Sequence, residues 1–371
     1  MFTRTLLALL LFLTACSGEE RLYKTRGHVF GTTVDITIYG GSQQRADLLG
    51  AEVLREFDRL HRKFHAWEPS MLTALNDSIA KGEPMRADAE MVGLLKSAEK
   101  LSVRSGLLFN PTIGHLIRLW GFQKNDIGAQ GPPAAEIKRW VDARPSLSDL
   151  RYNGNIISSV NPAVMIDLGG YAKGYALDRA AALLREAHVK AALVNIGGNV
   201  IAIGQPGERP WQVGIRDPRG AGTVAQIALR DNEAIGTSGD YERYFMKDGK
   251  RRPHIIDPRS GYPIDLVASV TIIASGGRDP GLRSDGHSKP LFITGPRDWQ
   301  AMAEKLDLKE VLMVDAQRNV HMTAAMQARI AGAERREHAG DLASTRVTST
   351  TQATASPVSS RAGVPGARSP D

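Results

Sequence analysis

The residues best placed to do chemistry gather in Val164–Asp178, VMIDLGGYAKGYALD. Val164-Met165-Ile166 reads as a buried strand ending in Asp167. Gly169 and Gly170 follow, and Tyr175, Ala176, Ala180, Leu183, Leu184 and Ala187 then recur at helical spacing. A strand that turns through glycines into a helix N-terminus offers bare backbone N–H groups to an anion. Glycine also lets a ligand or cation come close to the main chain. Asp167 and Lys173 flank that turn. The same letters equally describe a plain strand-to-helix turn with a capping Asp and a surface Lys, because such turns are common. A second informative stretch is His254-Ile255-Ile256-Asp257-Pro258, continuing to Pro263, where an imidazole precedes an Asp-Pro turn.

The elements that must hold these residues follow from periodicity. Val34, Ile36 and Ile38 alternate with polar residues and predict a half-buried strand. Leu49, Val53, Phe57, Leu60 and Phe64 form the inner stripe of a helix over 43–64. Residues 66–70 read as a loop, and a second helix spans about 87–105. Asn110-Pro111 breaks the pattern. Short helices are expected at about 113–120 and 134–143. Strands are expected at 192–196, 200–203, 211–215, 224–229, 267–273, 311–314 and 320–322, with a hairpin turn at Lys247-Asp248-Gly249. Residues 275–284 read as a Gly-rich loop, with a helix over about 296–306.

The ends of the 371-residue chain read differently from its middle. Arg4, then the apolar run Leu6–Leu13, then Leu13-Thr14-Ala15-Cys16 predict a signal peptide over 1–15. The run is too short to span a bilayer. Cys16 is the chain's one cysteine, which excludes intrachain disulfides. Its context is similar to a lipobox, implying a lipidated, membrane-anchored N-terminus on the periplasmic side of the inner membrane. Residues 16–28 are expected as a tether, and 324–371 as a low-complexity tail without stable structure. The chain carries a net charge of +7, and its tail holds several Arg. No basic run is interleaved with aromatics, so nucleic-acid binding gains no support.

Several of these pieces, in this order, resemble the FAD:protein FMN transferases, the ApbE family. They are Phe30-Gly31-Thr32, Phe109-Asn110-Pro111-Thr112, Asp167-Leu168-Gly169-Gly170-Tyr171-Ala172-Lys173-Gly174, Asn195-Ile196-Gly197-Gly198-Asn199, Ser238-Gly239-Asp240-Tyr241-Glu242-Arg243 and His254–Pro258. The resemblance spans 29–323. It implies an α+β fold with T-fold-like antiparallel sheets packed against helices. It also implies FAD as substrate, Mg²⁺ as cofactor, and transfer of FMN to a Thr hydroxyl of an acceptor flavoprotein, with AMP leaving. Such chemistry needs phosphate charge neutralised and a hydroxyl proton taken. His254 is the candidate base, and Asp257 orients it, binds the metal, or merely caps the Asp-Pro turn. Asp167 and Lys173 would contact the nucleotide. Phe30, Trp67, Leu108, Phe109, Asn110 and Ile255 would line its pocket, against the alternative of plain core packing for the rings.

One departure stands out. The family pattern places an Asp and a Thr as metal ligands, with the Gly170 carbonyl as a third. Here Ser284-Asp285-Gly286-His287-Ser288-Lys289-Pro290 keeps the acid, Asp285, but puts Lys289 where Thr would be. An ammonium supplies no oxygen and repels a dication. Either Ser288 and water complete the shell, or Lys289 meets the phosphate itself, or the protein binds FAD with little turnover. Three functions follow: an exported flavin transferase, a non-catalytic FAD-binding lipoprotein serving a reductase, or an anchored assembly factor on an enzyme fold.

Overall fold

The computed structural model describes residues 21–124 and 131–339. The signal peptide, Cys16 and the tail beyond 339 lie outside the described residues. Along the chain come β1 (Leu22–Val29), β2 (Thr32–Tyr39), α1 (Gln43–Phe64), α2 (Met71–Lys81), β3 (Met85–Arg86), α3 (Ala89–Arg104), α4 (Gly114–Leu119) and α5 (Ala134–Asp142). Then follow β4 (Leu150–Asn153), β5 (Ile156–Ser159), α6 (Ala172–Glu186), β6 (Ala191–Ile196), β7 (Asn199–Ile203), β8 (Trp211–Arg216), β9 (Thr223–Leu229) and β10 (Ala234–Gly239). The chain continues through β11 (Tyr244–Lys247), β12 (Lys250–Pro253), β13 (Val267–Ala274), α7 (Pro280–Lys305), β14 (Glu310–Asp315), β15 (Val320–Met322) and α8 (Ala324–Ala339).

The frame is an eight-stranded sheet in the order β1-β2-β6-β7-β10-β13-β14-β15, every neighbouring pair antiparallel. Strand order follows chain order, so the long segments between strands are excursions from one meander. Side chains alternate between faces along each strand. Val34, Ile36, Val194, Ile196, Ile201 and Ile272 meet the helical side of the core, which α1, α6 and α7 cover. Leu193, Val200, Ile235, Ile273 and Leu312 face the other way, onto the β8–β9 hairpin and Met326 of α8. With both faces covered, β6 and β13 are buried at every position. The α+β class with antiparallel sheets against helices is what the sequence predicts.

Three local expectations are corrected. Residues 22–29 are strand β1, paired along its length with β2, not a tether. Residues 324–339 form α8, not tail. Residues 66–70 are the expected loop, and helix α2, which the periodicity does not predict, follows it, capped reciprocally by Ser70 and Thr73. Val164–Ile166 is buried but joins no sheet. The Asn76 side-chain amide clamps the Ile166 backbone on both sides, at 2.7 and 2.9 Å, and Met165 and Asp167 bond the Pro111–Thr112 carbonyls.

The largest difference concerns α7. It starts at Pro280, not near 296, because Asp279-Pro280 opens a helix that changes direction at Gly295 (φ 77°). Gly281 and Gly286 on this helix serve close packing. A Cβ on Gly174 of α6 would sit 2.4 Å from the Gly281 carbonyl oxygen, and one on Gly281 would sit 2.5 Å from the Gly174 oxygen. The helices therefore cross backbone on backbone. Each caps the other. Asp285 of α7 accepts the Gly174 N–H at 2.9 Å, and Asp178 of α6 accepts the Gly281 and Leu282 N–H groups at 2.8 Å each. Burial pushes the Asp178 carboxyl up to about 7 against those two donors.

Gly174→Ala forces a methyl group into a main-chain oxygen. It is expected to lower unfolding free energy by about 2–3 kcal/mol, the upper end of overpacking costs. The exposed α1 change Glu52→Ala should stay within ~0.5 kcal/mol. Urea unfolding of both variants checks this, and equal stability of the two would contradict the crossing.

Candidate functional site

The α6–α7 crossing fixes one wall of the site. Lys173 lies in the first turn of α6, whose N-cap residue Tyr171 makes no side-chain cap of its own. On α7, Lys289 lies one turn after Asp285. Its ammonium donates to the Asp285 main-chain oxygen at 2.8 Å and forms an ion pair with Asp285 Oδ1. Its stem packs over Gly170, where a Cβ would lie 3.1 Å from Lys289 Cε. Burial pulls the Lys289 ammonium below the usual lysine range, and Lys173 nearby pushes the same way, against the pull of Asp285.

The facing wall is built from loops. Trp67 Nε1 donates to Asp167 Oδ2 at 3.1 Å, and Asp167 Oδ1 caps Gly169 N at 2.7 Å. The Arg118 guanidinium covers the Trp67 ring at 5.6 Å from its centroid. Burial pushes the Asp167 carboxyl up, while the Gly169 and Trp67 bonds and the Arg243 charge oppose it. Phe30, in the left-handed region at φ 57°, joins this wall through rings. It packs edge-on to His61 at 5.3 Å and His61 edge-on to His65 at 5.0 Å, and His65 Nδ1 accepts the Trp67 N–H at 3.2 Å.

His254 closes the third side. Its backbone N–H donates to the Arg243 carbonyl at 2.9 Å, and Nδ1 lies 3.2 Å from the same oxygen. A carbonyl only accepts, so Nδ1 carries the hydrogen and Nε2 keeps a free lone pair. Burial depresses the imidazole to about 3, and the charges of Lys173, Arg243 and Lys289 add to that. His254 is thus within electrostatic reach of Lys289, and Lys289 is bonded to Asp285. The imidazole and the carboxylate are linked electrostatically through Lys289.

Several expected site residues have other partners here. Asp257 makes no hydrogen bond to His254 among the described residues. Its carboxylate pairs with Arg259 at 2.8 Å and caps Arg259 N at 2.9 Å, which is the Asp-Pro turn role. Ser288 is not beside the lysine: its hydroxyl donates to the Asp285 carbonyl at 2.6 Å and pairs with Ser238 of β10 at 2.7 Å, facing the sheet. Leu108, Phe109 and Ile255 are core side chains, Phe109 tilted against Tyr171 at 5.2 Å. Asn110 ties its loop together, donating to the Pro145 carbonyl and accepting from Thr112. Arg243, the end of the Ser238–Arg243 stretch but assigned no role by the sequence, donates to the Lys124 carbonyl at 2.8 Å and adds a positive charge that acts on His254 and Asp167.

The donor set does not fit Mg²⁺, which needs about six oxygens at 2.0–2.1 Å. Asp285 Oδ2 is committed to Gly174 N–H and Oδ1 to Lys289, and Ser288 is turned away. Lys289 carries a charge of the wrong sign for a ligand. Among the described residues no group of three His, Cys, Asp or Glu side chains could hold a metal. The arrangement suits an anion: Lys173, Arg243 and Lys289 all act electrostatically on His254, beside the N-terminus of α6.

His254 in the free protein is expected to stay neutral down to about pH 4, where an ordinary histidine, with a pKa near 6.5, is charged. Imidazole NMR signals followed against pH check this, and a midpoint at 6–7 would contradict the burial described.

Comparison with known proteins identifies the family. Residues 30–313 match the model of the ApbE family. The chain is 37% identical over 312 residues to the FAD:protein FMN transferase of Rhodobacter capsulatus, covering 83% of this chain but 58% of that protein's length. With the FAD:protein FMN transferase of Haemophilus influenzae it shares 29% over 317 residues, 83% of this chain and 90% of that one. The crystal structure of the ApbE protein from Thermotoga maritima superposes with a TM-score of 0.76 at 32% identity, over 84% of this chain and 99% of that one. The apo flavinyl transferase ApbE of Pseudomonas stutzeri superposes at 0.72 and 27%, over 84% and 97%. With its fold, its glycine corner and its match over 30–313 taken together, this chain belongs to the ApbE family.

Proposed function

We propose that this chain is a flavin transferase that moves FMN from FAD to a threonine hydroxyl of an acceptor flavoprotein and releases AMP. What supports the reading is the Lys289–Asp285 pair laid across Gly170 at the start of α6, with the charges of Lys173, Arg243 and Lys289 all acting on the His254 imidazole. In the step proposed, the acceptor oxygen bonds to the phosphorus of the FMN half, the bond from that phosphorus to the bridging oxygen breaks, and AMP departs with the bridging oxygen. The hydroxyl proton passes to His254 Nε2. Phosphoryl transfer of this kind develops little demand for a strong base and much for charge neutralisation. A base of low affinity amid three cations suits that balance. A bound diphosphate, itself anionic, raises the affinity of His254 for the proton. The Trp67 ring, fixed by Asp167, supplies a stacking face for an aromatic ring of the dinucleotide. The relatives' names, FAD:protein FMN transferase, support the same reaction.

The segment from Arg4 to Cys16 supports a lipid anchor outside the cytoplasmic membrane, where acceptor redox proteins would be met. Among the described residues no helix is long and apolar enough to cross a membrane.

Purified protein mixed with FAD and a peptide carrying an Asp-Gly-x-Thr-Gly-Ala-Thr-like segment is expected to release AMP and leave a fluorescent peptide. His254→Ala should slow that transfer by about 10²–10⁴-fold, the usual share of a general base. Bound yellow FAD with no labelled peptide would instead support a carrier.

A further inference from the structure

We propose that Lys289 is the resident counter-cation of this site, so that the chain grips the FAD diphosphate without a divalent metal. The inference rests on reading the site as one for a flavin dinucleotide, and it concerns what neutralises the phosphates there.

The residues leave no opening for a dication. The Asp285 carboxylate is nearly inaccessible, at 1% exposure, and its two oxygens are taken by Gly174 N–H and Lys289. The Lys289 stem lies across Gly170, whose lack of a side chain is what makes room for it. Ser288, the one hydroxyl adjacent in sequence, faces β10. A divalent ion placed against Asp285 would have to displace the ammonium or sit beside it at full repulsion.

The ammonium itself is arranged to work. It has three N–H donors. Two go to Asp285, to its carboxylate and its main-chain oxygen, which fix the direction of the third. Lys289 keeps 17% of its side chain exposed, so the ammonium is not sealed off and a third donor is left for a ligand. Among the described residues Lys173 has no ion-pair partner, and it lies close enough to Lys289 for the two charges to interact. Lys289 brings one positive charge where a divalent ion brings two; the charges of Lys173 and Arg243 act on the same His254 imidazole and add to it. Lysine is a common phosphate binder as a point charge. An i,i+4 pairing on a rigid helix, with the helix held by its glycine crossing, keeps that charge in place without a metal.

The test separates metal binding from flavin binding. Calorimetry of the purified protein with MgCl₂ alone is expected to show no saturable heat. FAD affinity, read by flavin fluorescence quenching, should differ by less than about twofold between EDTA and millimolar Mg²⁺. Lys289→Thr restores an oxygen ligand and should make FAD binding metal-dependent, at least about tenfold weaker in EDTA than in Mg²⁺. Lys289→Met keeps the packing of the stem and removes the charge. It should weaken FAD binding about tenfold or more in EDTA, the scale of one charge-assisted hydrogen bond. It is the variant to use if Lys289→Thr does not fold. Micromolar Mg²⁺ binding to the unaltered protein overturns the proposal, and so does FAD binding that EDTA weakens tenfold. Unchanged FAD affinity in Lys289→Met overturns it as well. FMN transfer that requires Mg²⁺ overturns it while leaving the transferase reading intact. Metal-free FAD binding without any transfer upholds it and removes the transferase reading.

Discussion

Helices α6 and α7 touch through glycine, and each feeds its first-turn N–H groups to a carboxylate of the other. One wall of the site follows from that contact. Gly174 and Gly281 let the two backbones approach until a methyl group on either would strike a carbonyl oxygen. At that distance Asp285 reaches across to α6 and Asp178 reaches across to α7. Because Asp285 is then fixed, Lys289, one turn further on, has a fixed partner. Because α6 begins where it does, Lys173 rises beside it. The sheet beneath acts as a frame, since Gly236 of β10 meets the α7 backbone at Ser284 and Asp285, where a Cβ would lie 2.7 Å away.

The second wall obeys a different constraint. Asp167, Trp67 and His254 sit on loops, and loops need tying down. Asn76 clamps Ile166, Asp167 bonds Trp67 and Gly169, and the Arg243 carbonyl accepts from both the His254 backbone and its ring. Burial then sets the charge states: it keeps His254 neutral and opposes ionisation of Asp167. A pocket with a neutral base and several cations favours an anionic ligand over a positively charged one.

Much of the fold was legible where pattern and burial agree. The alternation in β2, the apolar runs of β6 and β13 and the stripe of α1 all report their environments directly. The pattern misleads where a residue is chosen for contact and not for propensity. Gly281, Gly286 and Pro290 break the helical signature of α7, yet Gly281 is there for the crossing and Gly286 for Tyr171 and Leu101, which a Cβ would meet at 2.7–2.8 Å. The run Val164–Ile166 is apolar because it is buried, but a side-chain amide and a loop satisfy its backbone instead of a neighbouring strand. Strand β1 is an edge with few buried positions, so its letters resemble a tether. In the candidate site, the sequence names Asp167, Lys173, His254, Asp285 and Lys289, and the Asp285–Lys289 contact follows from their spacing of one helical turn. The roles of Asp257 and Ser288 were not legible, since each depends on which way a side chain turns, and Arg259 and Ser238 decide that.

A crystal structure of the protein grown with FAD and a chelator tests the central claim most directly. The diphosphate should lie at the N-terminal end of α6, bridging the Lys173 and Lys289 ammonium groups with His254 Nε2 facing the phosphorus of the FMN half. A dinucleotide bound elsewhere, or a Lys289 side chain swung away from Asp285 with the phosphates out of its reach, would contradict it.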